Sequence, residues 1–326
     1  MKATKGIKRW RRDWLRRYGM LLILVAMTLL AAALSPRFLT TANLLNVTRQ
    51  VAINAILAAG MTVVIISGGI DLSVGSVLAI AGALGAGVMS SGAHWVIGVF
   101  VTLLVGLAFG LANGIFVAYG QLPPFIVTLA TMALGRGFTQ VYTGGRAITV
   151  FDESFQWFGH GYLGSIPVPV IIMVSVYILG YVFFNHMKLG RLVYAVGGNE
   201  QACRMAGIRV NRVKVVIYGI SGLMAGLVGV VLTARLFSAQ PTAGVSYELD
   251  AIAAVILGGT SLAGGRGNIG GTIIGALIIG VLGNVLNLLD VSPFFQDVAK
   301  GIVILLAVLV DKFLHTGGAA ELHPPP

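Results

Sequence analysis

Long apolar runs constrain this chain more than any other feature of its sequence. Residues 20–34 are apolar apart from Thr28, and further runs approach or exceed the ~20 residues that a helix needs to cross a bilayer core. A transmembrane β-barrel would instead show ~10-residue segments of alternating polarity. Only 10% of the residues are charged, against roughly a quarter in soluble proteins, and the mean hydropathy is +0.92. The sequence therefore predicts an all-α polytopic membrane protein.

Ten helical spans fit these apolar runs best. We place them at residues 19–34, 50–67, 73–91, 94–119, 124–142, 166–186, 213–235, 248–258, 269–289 and 296–311. The eighth span is too short to cross alone, so we expect it to reach partway or to continue into the Gly-rich segment after it. Non-helical backbone at membrane depth must be sheltered by protein, because lipid cannot satisfy its polar groups.

Two basic clusters predict the orientation of these spans. Residues 1–17 hold eight Lys or Arg and one Asp, and residues 187–214 hold six Lys or Arg and Glu200. Positive loops face the cytoplasm, and six spans lie between the two clusters, so both termini are expected to be cytoplasmic. The longest external segment is then 143–165. Nucleic-acid binding is the less favoured interpretation of the net charge of +11.

The same pattern predicts the domain organisation. A basic cytoplasmic segment, residues 1–18, precedes a transmembrane domain, 19–312, whose main cytoplasmic loop is 187–212. No small-residue cleavage site follows the first apolar run, so we expect that span to be retained. Residues 313–326 are expected to form a disordered tail.

Motifs for catalysis or nucleotide binding are missing from the sequence. No GxxxxGK[ST] loop occurs, so the chain has no phosphate-gripping loop of that type. The five histidines are scattered without metal-ligand spacing, Cys203 is the sole cysteine, and neither GxSxG nor HExxH is present. We therefore expect neither an enzyme nor a metal site.

Charged residues within or beside the spans are functional suspects, because they are costly in a membrane. They are Asp71, Arg136, Arg235, Glu248, Asp250, Asp290, Asp297 and Lys300. Most lie at span ends, where water is near, and Asp297 and Lys300 are spaced to pair along one helix. Asp71 lies in a Gly-bounded break, where capping of the next helix through Ser73 is the simpler role. No span carries the buried acidic chain of a proton-driven transporter.

Residues 197–212 form the main polar interruption of the chain. We predict a short helix from about Glu200 to Ala206, with Asn199 as N-cap and Gly207 as the C-terminal stop. Ala202 and Ala206, like Cys203 and Gly207, lie four residues apart and give the helix a small-residue face. Such a helix could lie in a groove of another protein, or on headgroups with its arginines held by anionic lipid.

Glycine spacing gives two further expectations. Gly106, Gly110 and Gly114 fall four apart, as do Gly222 and Gly226, which favours close helix packing within one subunit over a dimer contact. Residues 68–75, GGIDLSVG, and 258–265, GGTSLAGG, match at four of eight positions. An internal repeat and a chance match are equally compatible with this echo.

The segment EQACRMAGI, residues 200–208, resembles the E-A-A…G loop of permease subunits in bacterial ABC importers. In that family the loop forms a coupling helix that docks into a cytoplasmic ATPase. The family has paired alanines where this chain has Ala202-Cys203, and cysteine keeps the face small. The resemblance implies an ATPase-coupling role for Asn199, Glu200, Ala202, Cys203, Arg204, Ala206 and Gly207.

Residues 54–79 and 234–267 resemble permeases of the ribose and related monosaccharide importers, and the likeness extends over about 38–312. It implies a type II-like importer fold with ten spans per subunit, a homodimeric or pseudo-homodimeric pore in the bacterial inner membrane, and a soluble sugar-binding protein outside. A separate ATPase would bind ATP and magnesium. Related permeases import other pentoses, hexoses and nucleosides, so the sugar stays open.

The resemblance also directs the choice of path residues. We nominate Asn54, Asp71, Asn284 and Asn287 for the sugar path, although Asn in a membrane helix more often bonds a neighbouring helix. Segments 143–165 and 236–247 are candidate docking surfaces for the binding protein. An ion-coupled secondary carrier of sugars or nucleosides and a passive channel remain the competing hypotheses.

Overall fold

The computed structural model describes residues 19–316, which form helices and four two-residue strands. The predicted basic segment 1–18 and residues 317–326 of the predicted tail lie outside the described residues. The helices are α1 (Gly19–Leu34), α2 (Thr41–Ile66), α3 (Val74–Ser90), α4 (Trp95–Ala118), α5 (Pro124–Thr143), α6 (Glu153–His160), α7 (Val168–His186), α8 (Lys188–Gly198), α9 (Glu200–Met205), α10 (Val210–Leu236), α11 (Tyr247–Leu257), α12 (Ile269–Leu288) and α13 (Pro293–Thr316).

A helix lies at each of the ten places where the apolar runs predict a span. Within the described part, α2, α4, α7, α10 and α12 are long and apolar enough to cross a membrane, and α1 and α3 are shorter apolar helices. The eighth span is short as predicted, because α11 has 11 residues. Ten membrane crossings stay a prediction.

Helix α2 begins nine residues before the predicted span, at Thr41 instead of 50. Its start is set by a cap and not by the apolar run, since the Thr40 hydroxyl accepts a hydrogen bond from the Asn43 amide at 3.4 Å. The first turns carry polar residues, which hydropathy alone assigns to a loop. A helix therefore extends past its apolar stretch when its cap lies further out.

Helix α2 forms the centre of the fold. All residues from 51 to 66 are buried, and α2 packs against α7, α10, α11 and α12. A helix that is apolar on nearly every side is typical of a protein core or a membrane span. The elements that hold the candidate site are thus arranged around one enclosed helix.

Glycines bring α4 and α10 together, as predicted for packing within one subunit. A Cβ placed on Gly110 would lie 2.9 Å from the Gly222 Cα, and one placed on Gly106 would lie 2.8 Å from the Gly226 Cα. The two helices make the most extensive helix contact in the described part of the chain. The small-residue rows therefore belong to an internal contact.

Two breaks, residues 67–73 and 258–268, follow α2 and α11. Each begins with a glycine in the left-handed region, Gly68 at φ +83° and Gly259 at φ +84°. The residue after each glycine donates its amide five positions back, over 3.1 Å and 3.2 Å, which is the hydrogen-bond pattern of a Schellman cap. Gly68 and Gly259 are therefore structurally equivalent. The sequence match of 68–75 with 258–265 instead aligns Gly68 with Gly258, so the two alignments differ by one residue. The internal repeat stays a prediction.

The two segments predicted as external surfaces pair with one another. Strand β1 (Ile148–Thr149) is antiparallel to β4 (Ser238–Ala239), and β2 (Tyr162–Leu163) is antiparallel to β3 (Ile166–Pro167). The His160 imidazole lies 2.7 Å from the Arg235 carbonyl oxygen. Segments 143–165 and 236–247 therefore form one continuous surface.

Candidate functional site

The short polar helix α9 has the caps that its sequence predicts. The Asn199 side chain accepts a hydrogen bond from the Ala202 amide at 2.9 Å, and Gly207 lies in the left-handed region at φ +76°. Glycine adopts that conformation without steric cost. The helix is six residues long and ends at Met205, one residue before its predicted end.

Glu200 fastens α9 to the first turns of α10. One carboxylate oxygen lies 2.8 Å from Arg204 Nη2 and the other lies 2.6 Å from Lys214 Nζ. Partial burial raises the pKa of the Glu200 carboxyl, but the hydrogen bonds and charges of Lys214 and Arg204 outweigh it, and the pKa of Glu200 is lowered overall. The charges of this helix therefore attach it to α10, in addition to their predicted effect on orientation.

Burial divides the predicted small face of α9. Ala202, Ala206 and Gly207 are exposed. Cys203 is only 7% exposed and packs into the main core, so the prediction that it belongs to an outward face is wrong. Helix α9 packs against α8 and α10, and Cys203 lies on the buried side of α9. A partner can contact the three exposed small residues but not the thiol.

Met205 is a surface residue that the sequence reasoning missed. Its side chain is 84% exposed, the largest exposed fraction among the described large apolar residues. A solvated methionine on a helix that also exposes alanines is typical of adaptable binding surfaces. The sequence contains one signal of this exposure. Met205 lies four residues after Gln201 and three after Ala202, and residues at these spacings share one side of a helix.

A groove of about 410 Å³ lies beside α9. Its walls come from α9, the start of α10 and the turn between α4 and α5. The lining residues are Val117, Ala118, Gln121, Leu122, Pro123, Pro124, Glu200, Arg204 and Lys214. The exposed side of α9 is thus continuous with a concave surface.

The residues just before α9 are clamped onto both breaks. Gly197 packs directly on the Ile66 carbonyl oxygen, which also accepts a hydrogen bond from the Gly265 amide at 2.8 Å. The Tyr194 hydroxyl donates to the Gly267 carbonyl oxygen at 2.9 Å. A movement of α8 or α9 therefore reaches the end of α2 and the 258–268 break through backbone contacts.

Asp71 is buried and fully hydrogen-bonded. One oxygen accepts from the Ser73 amide at 3.0 Å and the Ser73 hydroxyl at 2.6 Å, and the other accepts from the Ser221 hydroxyl at 2.8 Å. Asn113 donates to the Ser73 hydroxyl at 2.9 Å. The predicted capping of α3 is not observed, because the N-cap is Ser73 and it has no side-chain cap hydrogen bond. Asp71 instead binds Ser73 in the turn before α3, and Ser221 and Asn113 tie that turn to α10 and α4.

The structure does not bring the four nominated path residues together. Asn284 exchanges two hydrogen bonds with Asn43, at 2.9 Å and 3.0 Å, in the way that helices are tied to their neighbours. Asn287 is exposed and accepts from Gln296 at 2.9 Å. Asn54 lies 3.4 Å from a carboxylate oxygen of Asp250.

Lys300 pairs with Asp250 and not with Asp297. Its ammonium nitrogen lies 3.0 Å from the Asp250 carboxylate, so the predicted pair along α13 is wrong. Asp250 is 3% exposed while Asp297 is exposed. The buried carboxylate has no water to stabilise its charge and takes the nearby cation instead.

Among the residues whose side chains the structure describes, no group of three His, Cys, Asp or Glu could hold a metal ion. The described residues form an exposed short polar helix beside a groove, a set of helices that encloses α2, and a surface made of segments 143–165 and 236–247.

Comparison with known proteins matches residues 43–308 to the family described as "Branched-chain amino acid transport system / permease component". The chain is 53% identical over 300 residues to the ribose import permease protein of Bacillus subtilis (strain 168), covering 91% of this chain and 93% of that protein. It is 48% identical over 314 residues to the ribose import permease protein of Escherichia coli (strain K12), covering 95% and 98%.

A more distant relative carries a different sugar name. The L-arabinose transport system permease protein of Escherichia coli (strain K12) is 38% identical over 311 residues, covering 95% of this chain and 94% of that protein. No solved structure matches the chain.

Proposed function

The chain belongs to the family of branched-chain amino acid transport system permease components, and on that premise we propose that it is the permease subunit of an ABC importer of ribose. The observation that carries this proposal is the identity of about half of all residues, over more than nine-tenths of the chain, to ribose import permeases of two distant bacteria. Arabinose and allose permeases are less similar, at 38% and 40% identity. The sugar is therefore a monosaccharide, with ribose favoured.

A separate cytoplasmic ATPase supplies the energy in this proposal. It binds ATP and magnesium, and it docks on α9 and the groove beside it. Support comes from the exposed Ala202, Met205 and Ala206, and from the absence of a phosphate loop in this chain. The coupling residues are those of α9 and its caps, with Cys203 acting from inside.

The membrane arrangement in this proposal has ten crossings and both termini in the cytoplasm of a bacterial inner membrane. The two basic clusters support it, as does a helix at each predicted span. Two copies of the chain enclose the sugar path. A soluble sugar-binding protein docks on the surface formed by 143–165 and 236–247, where Phe151 and Leu163 are 79% and 65% exposed.

Uptake of labelled ribose tests this function. Cells with the complete transporter should accumulate ribose above the outside concentration after the proton gradient is collapsed while ATP is held constant. Loss of accumulation on collapse would point to an ion-coupled carrier. Equilibration without accumulation would point to a passive channel, and accumulation of leucine but not ribose would refute the sugar assignment.

A further inference from the structure

Helices α3 and α11 begin at the same place in the fold. Gly75, in the first turn of α3, packs directly on the Gly244 carbonyl oxygen and on the Glu248 carboxylate, and a Cβ at that position would collide with both. Glu248 lies in the first turn of α11. The N-terminal ends of two short helices therefore meet at a backbone contact that has room only for glycine.

Arg136 reaches this meeting point from α5. Its guanidinium donates to the Ala243 carbonyl oxygen at 2.5 Å and to the Gly75 carbonyl oxygen at 3.3 Å. Twelve residues separate Arg136 from the start of α5, which is a rise of ~18 Å along the helix. In the proposed ten-crossing arrangement α5 spans a hydrocarbon core of ~30 Å, and the guanidinium then lies well inside it.

Arg136 and Glu248 attract one another but do not touch. Each contributes an electrostatic effect to the other, yet none of the three ion pairs found within residues 19–316 joins them. Both side chains are partly exposed, and Val245 and Leu249 beside them are 58% and 46% exposed. This face of the chain is therefore open.

An open face that carries two charges is unsuited to lipid, because charged side chains inside a membrane face water or protein. The four nominated path residues contrast with this pair. Asn54, Asp71 and Asn284 are buried and bonded to protein partners, and Asn287 lies in the last turn of α12. Arg136 and Glu248 are accessible from the open face, and Arg136 lies deep in the proposed span.

From this geometry we infer that Arg136 and Glu248 form a binding station for an uncharged polyhydroxylated solute on the translocation path, an inference that rests on the proposed function. A sugar hydroxyl both donates and accepts hydrogen bonds, so one solute can donate to the Glu248 carboxylate and accept from the Arg136 guanidinium. Because the two charges cancel, a neutral sugar is favoured over a solute with net charge.

Removal of the carboxylate charge tests the station. Glu248→Gln keeps the shape of the side chain, and in the complete transporter it should lower ribose uptake at least ~10-fold with normal membrane levels. It should also reduce the preference for ribose over 2-deoxyribose, which a purely structural defect would leave unchanged. Asp290→Asn is the matched control, since Asp290 is exposed in a turn at φ +54° that asparagine tolerates. Uptake and selectivity within twofold of wild type in Glu248→Gln would overturn the inference.

Labelling of an introduced cysteine gives a second measurement that does not depend on uptake. Cys203 is the chain's sole cysteine and is only 7% exposed, so Leu249→Cys, which lies outside the docking segment 236–247, adds an exposed thiol to this face. The chain with Cys203 alone is the control. In the assembled transporter during ATP turnover, a membrane-impermeant thiol reagent should react with the new cysteine, and ribose should slow the reaction. No reaction, or protection by leucine and not by ribose, would contradict the station. If the wild type itself fails to accumulate ribose, the proposed function fails, whatever the variants do.

Discussion

Glu200 has both a proposed role in coupling and a structural role within its own chain. Its family resemblance implies contact with an ATPase, yet its carboxylate is occupied by Arg204 and Lys214 of the same chain. The Arg204 pair lies within α9, and the Lys214 pair joins α9 to α10. The contribution to stability is small, because the Glu200 side chain is 37% exposed and exposed ion pairs contribute at most about 1 kcal/mol.

Glu200→Gln should loosen α9 without unfolding the chain. The first prediction is that ATP hydrolysis in the assembled transporter continues while the ribose imported per ATP falls severalfold. Asp290→Asn removes an exposed acid outside the coupling helix and both docking segments, so it is the control and should leave this ratio unchanged. An unchanged ratio in Glu200→Gln would show that the ion pairs do not position α9.

The same ion pairs predict a pH dependence with a definite sign. The folded-state pKa of Glu200 is lowered, so its stabilisation of α9 is fully present above the unfolded-state pKa. The stabilisation is lost as the pH falls through the folded-state pKa. Coupling in wild type should therefore weaken only in the acidic range, and Glu200→Gln should remove that part of the pH profile.

Asp71 gives a second prediction, which separates a structural role from a path role. Asp71→Ala leaves the buried Ser73 and Ser221 hydroxyls without their acceptor, at a cost of about 1–3 kcal/mol for each unsatisfied group. The melting temperature of the purified chain in detergent should fall clearly, and Ser221→Ala, which removes one donor, should lower it less. If Asp71→Ala abolishes uptake while the melting temperature stays at the wild-type value, Asp71 acts on the path.

The helices at the ten predicted spans and α9 could be located from the sequence, because apolar runs and capping residues are local signals. Helices α6 and α8 lie in segments for which no helix was predicted. Asn199 and Gly207 bound α9, and glycine rows on α4 and α10 mark their contact. The partners of charged residues could not be predicted, since Lys300 selects Asp250 across 50 positions over Asp297 in its own helix. The burial of Cys203 was equally hidden, because it depends on how α9 lies against α8 and α10.

Two adjacent glycines at the end of α8 provide the third prediction. Gly197 packs against the Ile66 carbonyl oxygen and lies close to the Gly265 amide, while a Cβ at Gly198 would meet nothing within 4 Å. Both residues are helical, so helix propensity favours alanine at each. Gly197→Ala should lower stability by about 1–3 kcal/mol through overpacking and reduce coupling, whereas Gly198→Ala should be neutral or stabilising.

Thermal unfolding and ribose imported per ATP should be measured on both glycine variants. If the two variants unfold at the same temperature and import the same amount of ribose per ATP, the close contact of Gly197 with Ile66 does not affect stability or coupling. A coupling defect restricted to Gly197→Ala would place the clamp between the docking helix and the 258–268 break. The pair is informative because the two residues differ only in what lies opposite them.

Three regions of the molecule are connected through the buried helix α2. The predicted external surface includes β1 and β4, the central breaks follow α2 and α11, and α9 lies next to the contact of Gly197 with Ile66. Family resemblance and charge distribution predicted the first and last of these regions from the sequence. The central meeting of α3, α5 and α11 could not be predicted, because it depends on contacts between residues 61 and 173 positions apart.

The central claim is that an ATPase drives transport through the exposed side of α9. The direct measurement is ATP-driven ribose accumulation, together with ATPase binding, by proteoliposomes that contain the complete transporter with Ala206→Trp. The control is Ala112→Trp, on an exposed position of α4. Ala206→Trp should lower the affinity for the ATPase at least ~10-fold, or ~1.4 kcal/mol, and should lower ribose accumulation in parallel. Ala112→Trp should stay within twofold of wild type in both measurements. Wild-type accumulation and ATPase binding by Ala206→Trp would contradict the central claim.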